Sequence, residues 1–287
     1  MTDIVYLNGS LIPRRRALIS VLDYGFLYGY GLFETMRAYQ SRVFLLDRHL
    51  NRLAEAAVQL GLPVSVPELA GAVTDTIQAN GLENARIRIT ISGGEGSLIP
   101  DLATCKSATV LVMAAPYQPS PARIYHSGLR AITVSNRRNS QSPLSRLKTA
   151  NYMESILARQ YANNAGFDEA LLLNEKGMLA EASMSNLFLV KHGAIMTPDL
   201  ASGVLPGITR RAVIELAAKL DIDTVELEIP PEAINEADEA FLTNSLIEVM
   251  PLVEIDGRPV AGGQPGAITA KLLKEYRLMV RQTLMES

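Results

Sequence analysis

The sequence is poor in the features that staple small secreted domains or carry a chain to charged or apolar surfaces. Only one cysteine, Cys105, occurs in 287 residues, so no intrachain disulfide can form and a cytosolic, cytoplasmic setting is expected. No motif surrounds Cys105, and an isolated thiol of this kind is ordinarily a small buried hydrophobe and not a nucleophile. Excess charge is missing too: a net charge of -3 gives no broad attraction for nucleic acid or acidic membranes, and the run Arg14-Arg15-Arg16 reads as a solvated turn. No apolar run reaches the roughly 18 residues that a bilayer span needs. Met1 to Leu11 alternates apolar and polar residues around Asn8-Gly9, which signals a hairpin and not a secretory leader. Low-complexity tracts and fixed-period repeats are absent, and no metal site is expected.

What is present is an ordinary folded composition, with 48% hydrophobic and 20% charged residues. The length favours two domains, because single cores stop growing at roughly 250–300 residues, although one domain remains possible. Leu46, Leu50, Leu53, Ala57 and Leu60 recur at helical spacing and end at Gly61 and Pro63, predicting a helix over Leu46 to Leu62. A second helix is expected from Pro67 to Asn80, closed by Gly81. Alternation over Arg86 to Ile91 and the apolar run Thr109 to Ala115 predict strands, with a glycine-rich loop from Ser92 to Asp101 between them. Three prolines within Ala115 to Pro121 favour an extended linker, and a boundary there divides residues 1–118 from 119–287. Beyond it, strands are expected at Leu129 to Ser135, Glu169 to Asn174 and Asn186 to Lys191, and near Thr224 to Ile229, Glu239 to Thr243 and Val249 to Ile255. Helices are expected at Ala150 to Asn164, Thr209 to Leu220 and Gly266 to Met285. Strands and helices mix without regular alternation, so α+β is favoured over a doubly wound sheet.

The chemistry points to Lys148 and Glu181. A lysine ahead of a helix is ordinarily a solvated side chain, and seven lysines occur here. Lys148, however, sits in Leu147-Lys148-Thr149-Ala150-Asn151-Tyr152, and a lysine that loses hydration becomes a better nucleophile toward an aldehyde. Glu181 opens Glu181-Ala182-Ser183-Met184-Ser185-Asn186-Leu187-Phe188, where it is equally well a turn residue. An amine for an aldehyde and an anion for a ring nitrogen are what pyridoxal 5'-phosphate chemistry requires. Gly203 to Arg210 runs from a tight turn into a helix whose free N–H groups attract an anion, with Thr209 as its expected cap; a plain capped helix explains the stretch equally well. Thr243-Asn244-Ser245 is a second polar turn, and Arg52 offers a planar fork suited to phosphate oxygens.

Tyr24 through Thr35, His49-Leu50-Asn51-Arg52-Leu53, Lys148 through Tyr152, Glu181 through Phe188, Leu205 through Arg210 and Thr243 through Pro251 together resemble the class IV, fold type IV family of pyridoxal-phosphate enzymes. That family includes branched-chain aminotransferases, D-amino acid aminotransferases and aminodeoxychorismate lyases. The resemblance implies a D-amino acid aminotransferase-like mixed α/β fold, with a small and a large domain, the cofactor in the cleft between them, and usually a homodimer. It implies that Lys148 carries the cofactor and shuttles the substrate proton, with Glu181 on the pyridine nitrogen and Tyr152 beside the ring oxygen. Arg52, Asn186, Leu205, Gly207, Ile208, Thr209, Asn244 and Ser245 are the further cofactor contacts that it implies, and Tyr28, Phe33, Arg88, Leu246 and Ile247 the substrate contacts.

Within the family, D-amino acid aminotransferases carry a tyrosine where this chain has Phe33 and an arginine where it has Gly93, which disfavours that specificity. Arg88 resembles a pocket arginine of the bacterial branched-chain enzymes, yet it reads equally well as an exposed strand residue. Phe33-Glu34-Thr35 departs from the glycine usual there, and Thr243-Asn244-Ser245-Leu246 looks more like the lyases. The expectation is a transaminase taking an amino group from an aliphatic L-amino acid to a 2-oxo acid such as 2-oxoglutarate. Elimination of pyruvate from aminodeoxychorismate is the alternative, and a non-catalytic binding module the rival from another class.

Overall fold

Asn8 and Gly9 both take positive φ, +47° and +92°, the geometry of a two-residue hairpin turn, and they join β1 (Ile4–Leu7) to β2 (Ser10–Pro13). A computed structural model describes residues 3–286, which fold as two compact units. The first contains residues up to Gln118 together with Leu147–Asn151, and the second contains Pro119–Arg146 and the residues from Tyr152 onward.

The first unit continues with α1 (Tyr24–Tyr28), β3 (Gly31–Tyr39), β4 (Arg42–Val43), α2 (Leu46–Gln59), α3 (Val66–Ala79), β5 (Ala85–Ser92) and β6 (Thr109–Pro116). Its six strands pair antiparallel in the order β2-β1-β6-β5-β3-β4. Period-two alternation decides which face is buried. Leu32, Met36, Ile87, Ile89, Ile91 and Val112 turn inward onto Leu50, Leu53, Val73 and Ile77 of α2 and α3, each fully buried aliphatic contributing about 1.5–3 kcal/mol. Phe33, Thr35, Arg88 and Thr90 occupy the opposite face by the same register.

The second unit comprises α4 (Ala122–Ser127), β7 (Leu129–Arg138), α5 (Met153–Asn164), β8 (Glu169–Asn174), β9 (Leu179–Ala182), β10 (Asn186–Lys191), β11 (Ala194–Pro198), α6 (Ile208–Lys219), β12 (Thr224–Leu227), β13 (Glu239–Asn244), β14 (Glu248–Ile255), β15 (Arg258–Pro259) and α7 (Ala267–Glu286). Its nine-stranded sheet mixes parallel pairs, β7 with β8 and β14 and β11 with β12, with antiparallel ones. Because β9 pairs with both β8 and β10, the strands β10-β13-β14-β7-β8-β9 close on themselves. Leu171, Leu187, Leu189, Leu242 and Leu252 form one core of this unit. Ala158 and Ala162 seat α5 on Val134, Ala170 and Leu172 in another, where small residues let the helix approach the sheet closely. Among the described residues no helix is long and apolar enough to cross a membrane, and no cluster of His, Cys, Asp and Glu is placed to hold a metal ion. Cys105 is only partly buried.

Candidate functional site

In the first unit the candidate residues gather around β3. Its N-terminal half has an open edge, because β4 pairs only with Ala38 and Tyr39, and the Lys148 segment fills it. Leu32 bridges Thr149 antiparallel; the Phe33 N–H donates to the Lys148 carbonyl at 2.9 Å, and the Ala150 N–H to the Gly31 carbonyl at 2.8 Å. The helix expected from Ala150 therefore starts only at Met153, with Tyr152 as its N-cap. Pairing with an open strand edge satisfies a backbone donor on each side, which the first turn of a helix leaves without intrahelical partners. Asn151 follows and closes on Gly29, whose φ is +66° and where a Cβ would lie 2.4 Å from Asn151 Oδ1, so glycine alone fits this approach.

Lys148 is half-buried, with Nζ 4.6 Å from the centre of the Phe33 ring. The Arg88 guanidinium lies 3.9 Å from the same ring and donates from Nε to Thr90 Oγ1 at 3.1 Å. The two cations reach Phe33 from the segments flanking β3 on either side, and a cation on an aromatic face gains about 0.5–1 kcal/mol at a partly exposed site. Tyr28, on α1, stands edge-on to Tyr24 at 5.0 Å and donates its hydroxyl to the Leu98 carbonyl at 2.5 Å.

On the helix-packed face of β3, Glu34 is fully buried. Its Oε1 accepts from Arg52 Nε at 2.7 Å, and its Oε2 from Arg52 Nη2 at 2.7 Å and from His49 Nδ1 at 2.8 Å. Burial alone would raise the Glu34 pKa, but Arg52 and then His49 overcome it and hold the carboxyl at about 2. Burial lowers the His49 pKa, with Arg52 and Lys148 acting in the same direction against Glu34, so the neutral ring serves as a donor to Glu34.

In the second unit Glu181 is on β9 and buried, at 8% exposure, and not in a turn. Its Oε2 accepts from the Leu205 N–H at 3.0 Å and from Asn186 Nδ2 at 3.3 Å, while Oε1 lies 3.2 Å from Arg138 Nη2. Arg138 is itself anchored on the carbonyls of Gly203, at 3.0 Å, and Ser145, at 2.7 Å. These donors all favour the anionic form of the carboxylate. Register puts Glu181, Asn186 and Thr243 in one row across β9, β10 and β13, and the buried Thr243 Oγ1 has no hydrogen-bond partner among the described residues.

Beside this row stands the N-terminus of α6. Asn186 Nδ2 also donates to the Leu205 carbonyl at 2.9 Å, and a Cβ on Gly207 would lie 2.0 Å from Asn186 Oδ1. The N-cap is Gly207, with no side chain bonded there. Thr209, expected as the cap, is instead buried inside the first turn beside Ile208. A buried helix end with uncapped N–H groups is an anion receptor. Tyr152 has its hydroxyl 3.4 Å from the Ser183 carbonyl; burial first, and then the charge of Glu181, push its pKa up to about 12, so it remains a neutral phenol. Asn244 uses both ends of its amide within the turn region, donating to Ser185 Oγ at 2.9 Å and accepting from the Leu246 and Ile247 N–H groups, each at 2.9 Å. Ser245, Leu246 and Ile247 follow, each partly exposed.

The second unit thus combines an anionic carboxylate, an orphaned hydroxyl and an uncapped helix end, which together suit a ligand bearing both a basic ring nitrogen and a phosphate. Glu34, His49 and Arg138 were not singled out from the sequence. A carboxylate within the inward stripe Leu32, Met36, Ala38, opposite a helix carrying His49 and Arg52 three residues apart, is a readable sign of a buried pair. Arg138 carries no comparable signal.

A family model described as amino-transferase class IV matches residues 31–255. The branched-chain-amino-acid aminotransferase of Pseudomonas aeruginosa is 34% identical over 95% of this chain and 91% of its own length. The aminodeoxychorismate lyase of Bacillus subtilis is 33% identical over 98% of this chain and 96% of its own. Among solved structures, the Escherichia coli branched-chain amino acid aminotransferase is similar with a TM-score of 0.93 at 31% identity, covering 98% of this chain and 95% of that one. Another branched-chain amino acid aminotransferase, solved as its complex with N-(5'-phosphopyridoxyl)-L-glutamate, is similar with a TM-score of 0.91 at 33% identity, covering 98% of this chain and 94% of that one.

Proposed function

Because the chain belongs to the class IV amino-transferases, we propose that it moves the amino group of a branched-chain or other aliphatic L-amino acid to a 2-oxo acid such as 2-oxoglutarate. The cofactor of this class is pyridoxal 5'-phosphate, which supplies an aldehyde for the amino group and a ring that takes up the electrons released at the α-carbon. The observation that carries the reading is the row of Glu181, Asn186 and Thr243 beside the uncapped end of α6. In this reading Glu181 holds the ring nitrogen protonated, and Tyr152 donates its neutral hydroxyl to the ring oxygen. The N–H groups of Ile208 and Thr209 hold phosphate together with Arg52 and Ser245. Lys148 Nζ would take the proton from the substrate α-carbon and deliver it to the cofactor carbon that keeps the amino nitrogen. Phe33 gives the substrate side chain an apolar wall, and Arg88 a cation for a second carboxylate. The similar aminotransferase solved with a glutamate adduct of the cofactor supports glutamate as one partner of the exchange.

Mixing the cofactor-loaded protein with L-leucine and 2-oxoglutarate is expected to yield L-glutamate and the branched 2-oxo acid in equal amounts, with no product from D-alanine. The turn Thr243-Asn244-Ser245 and the likeness to the Bacillus subtilis enzyme support a second reading, the lyase. Pyruvate released from aminodeoxychorismate without any 2-oxo acid, and no glutamate in the first assay, would establish it.

A homodimer also belongs to this proposal, and so does a cytoplasmic setting, which the lone cysteine supports. Leu18, Val21, Phe26, Leu98 and Ile99 are each more than 70% exposed, and α1, which carries Phe26, is tied to the loop of Leu98 and Ile99 by Tyr24 and Tyr28, whose hydroxyls donate to the Ile99 and Leu98 carbonyls. Clustered exposed hydrophobics of this kind mark an association surface. Phe26→Asp is expected to turn a dimer into a monomer by light scattering. A variant that stays dimeric would remove this face from the interface.

A further inference from the structure

A carboxylate on the apolar, helix-packed face of β3 is out of place unless something requires it. Glu34 is 0% exposed, and the arginine that it binds is on the next layer, one turn along α2 from His49. A buried ion pair adds little net stability over apolar residues of the same volume, so stability alone does not account for it. Exposure is also unequal: the Glu34 side chain is wholly enclosed, whereas the Arg52 side chain retains 13%.

The geometry explains the inequality. Glu34 binds the Nε and Nη2 of Arg52 with its two oxygens, each at 2.7 Å. Two parallel bonds to one edge of a planar guanidinium fix its plane as well as its position. The other edge, bearing Nη1, is thereby aimed away from Glu34 in one direction. His49 Nδ1, at 2.8 Å on Oε2, braces the carboxylate from the same helix as Arg52, since residues three apart share a helix face.

We propose that Glu34, braced by His49, is the positioning residue of the phosphate-binding arginine: it presents the far edge of Arg52 to the cofactor phosphate in a preset orientation. This rests on the assignment of Arg52 as a phosphate ligand made above. It assigns to Glu34 no contact with cofactor or substrate. Its effect is therefore confined to ligands that carry a phosphate, which a general role in folding would not be.

The test is titration of cofactor-free protein with pyridoxal 5'-phosphate and, separately, with pyridoxal, followed by absorbance. Glu34→Gln is expected to weaken pyridoxal 5'-phosphate binding roughly 10- to 100-fold, the range seen when an outer partner of a metal-binding side chain is lost, and to leave pyridoxal binding unchanged. Glu34→Gln/Arg52→Met is expected to bind no more weakly than Arg52→Met, since positioning has no effect once the positioned group is gone. Equal loss for both ligands, unchanged pyridoxal 5'-phosphate binding, or a double variant clearly weaker than Arg52→Met would overturn the proposal. Should Glu34→Gln fail to fold, Glu34→Asp keeps the charge but withdraws it by one methylene, and wild-type affinity for pyridoxal 5'-phosphate in that variant overturns it equally. If Arg52→Met binds both ligands as the wild type does, the assignment of Arg52 itself fails. A sensitive Arg52→Met beside an insensitive Glu34→Gln refutes only the positioning role.

Discussion

Lys148→Ala is expected to reduce amino transfer by about 10⁴-fold or more, because it removes both the covalent anchor and the proton carrier, and acid–base transfer alone is worth roughly 10²–10⁴-fold. The same change should leave the fold almost untouched. Lys148 is tied to β3 through its backbone carbonyl, which alanine retains, and the contact of its half-buried side chain with the Phe33 ring is worth about 1 kcal/mol or less. Activity and stability should therefore separate cleanly: glutamate formation, measured in protein free of host aminotransferases, falls to background while the thermal midpoint moves by a few degrees at most. Turnover near the wild-type rate would exclude Lys148 as the proton carrier. Collapse of the thermal midpoint would instead mean that the side chain holds the first unit together, and the loss of activity would then say nothing about chemistry.

The position of Lys148 also shows where the sequence is legible and where it is not. Short-range pattern was sufficient for α2, whose apolar spacing marks Leu46 onward, and for β5, where alternation separates Ile87, Ile89 and Ile91 from Arg86, Arg88 and Thr90. It was sufficient too for the turn at Asn8-Gly9. It failed at Ala150 to Tyr152, which have no local reason to stay out of the helix; they do so because Thr149 and Ala150 pair with the part of β3 that β4 is too short to cover, a fact about pairing between distant segments. The return of Leu147–Asn151 to the first unit is invisible for the same reason. At the candidate site, Lys148 and Glu181 are named by motif and chemistry together, whereas the residues that contact them or their neighbours are not. Arg138 is one arginine of a strand that ends in two, and nothing in Arg137-Arg138 tells which one turns toward Glu181. Only Glu34 left a trace, as a charge in an inward-facing position.

Glu181→Gln should cost about 10²–10³-fold in the rate of α-proton removal, a change in barrier of about 3–4 kcal/mol. The substitution keeps size and one acceptor oxygen, so the Leu205 N–H can still be satisfied, but the anion that keeps a ring nitrogen protonated is gone. Structure predicts a second effect that must be separated from the first. Arg138 lies 3.2 Å from the carboxylate and is itself largely enclosed, with 13% of its side chain exposed, and breaking a buried pair by removing one partner typically destabilises by about 3–5 kcal/mol. Two backbone carbonyls still accept from Arg138, which places the loss toward the lower end of that range. Arg138→Met separates the two effects: it also breaks the pair and lowers the thermal midpoint, yet leaves the carboxylate where it is. The rate of proton removal, followed by single-turnover loss of deuterium from α-deuterated L-leucine, is therefore expected to fall far more in Glu181→Gln than in Arg138→Met. Equal losses in the two variants would mean that the pair matters only as packing, and that the ring nitrogen is held by something other than Glu181.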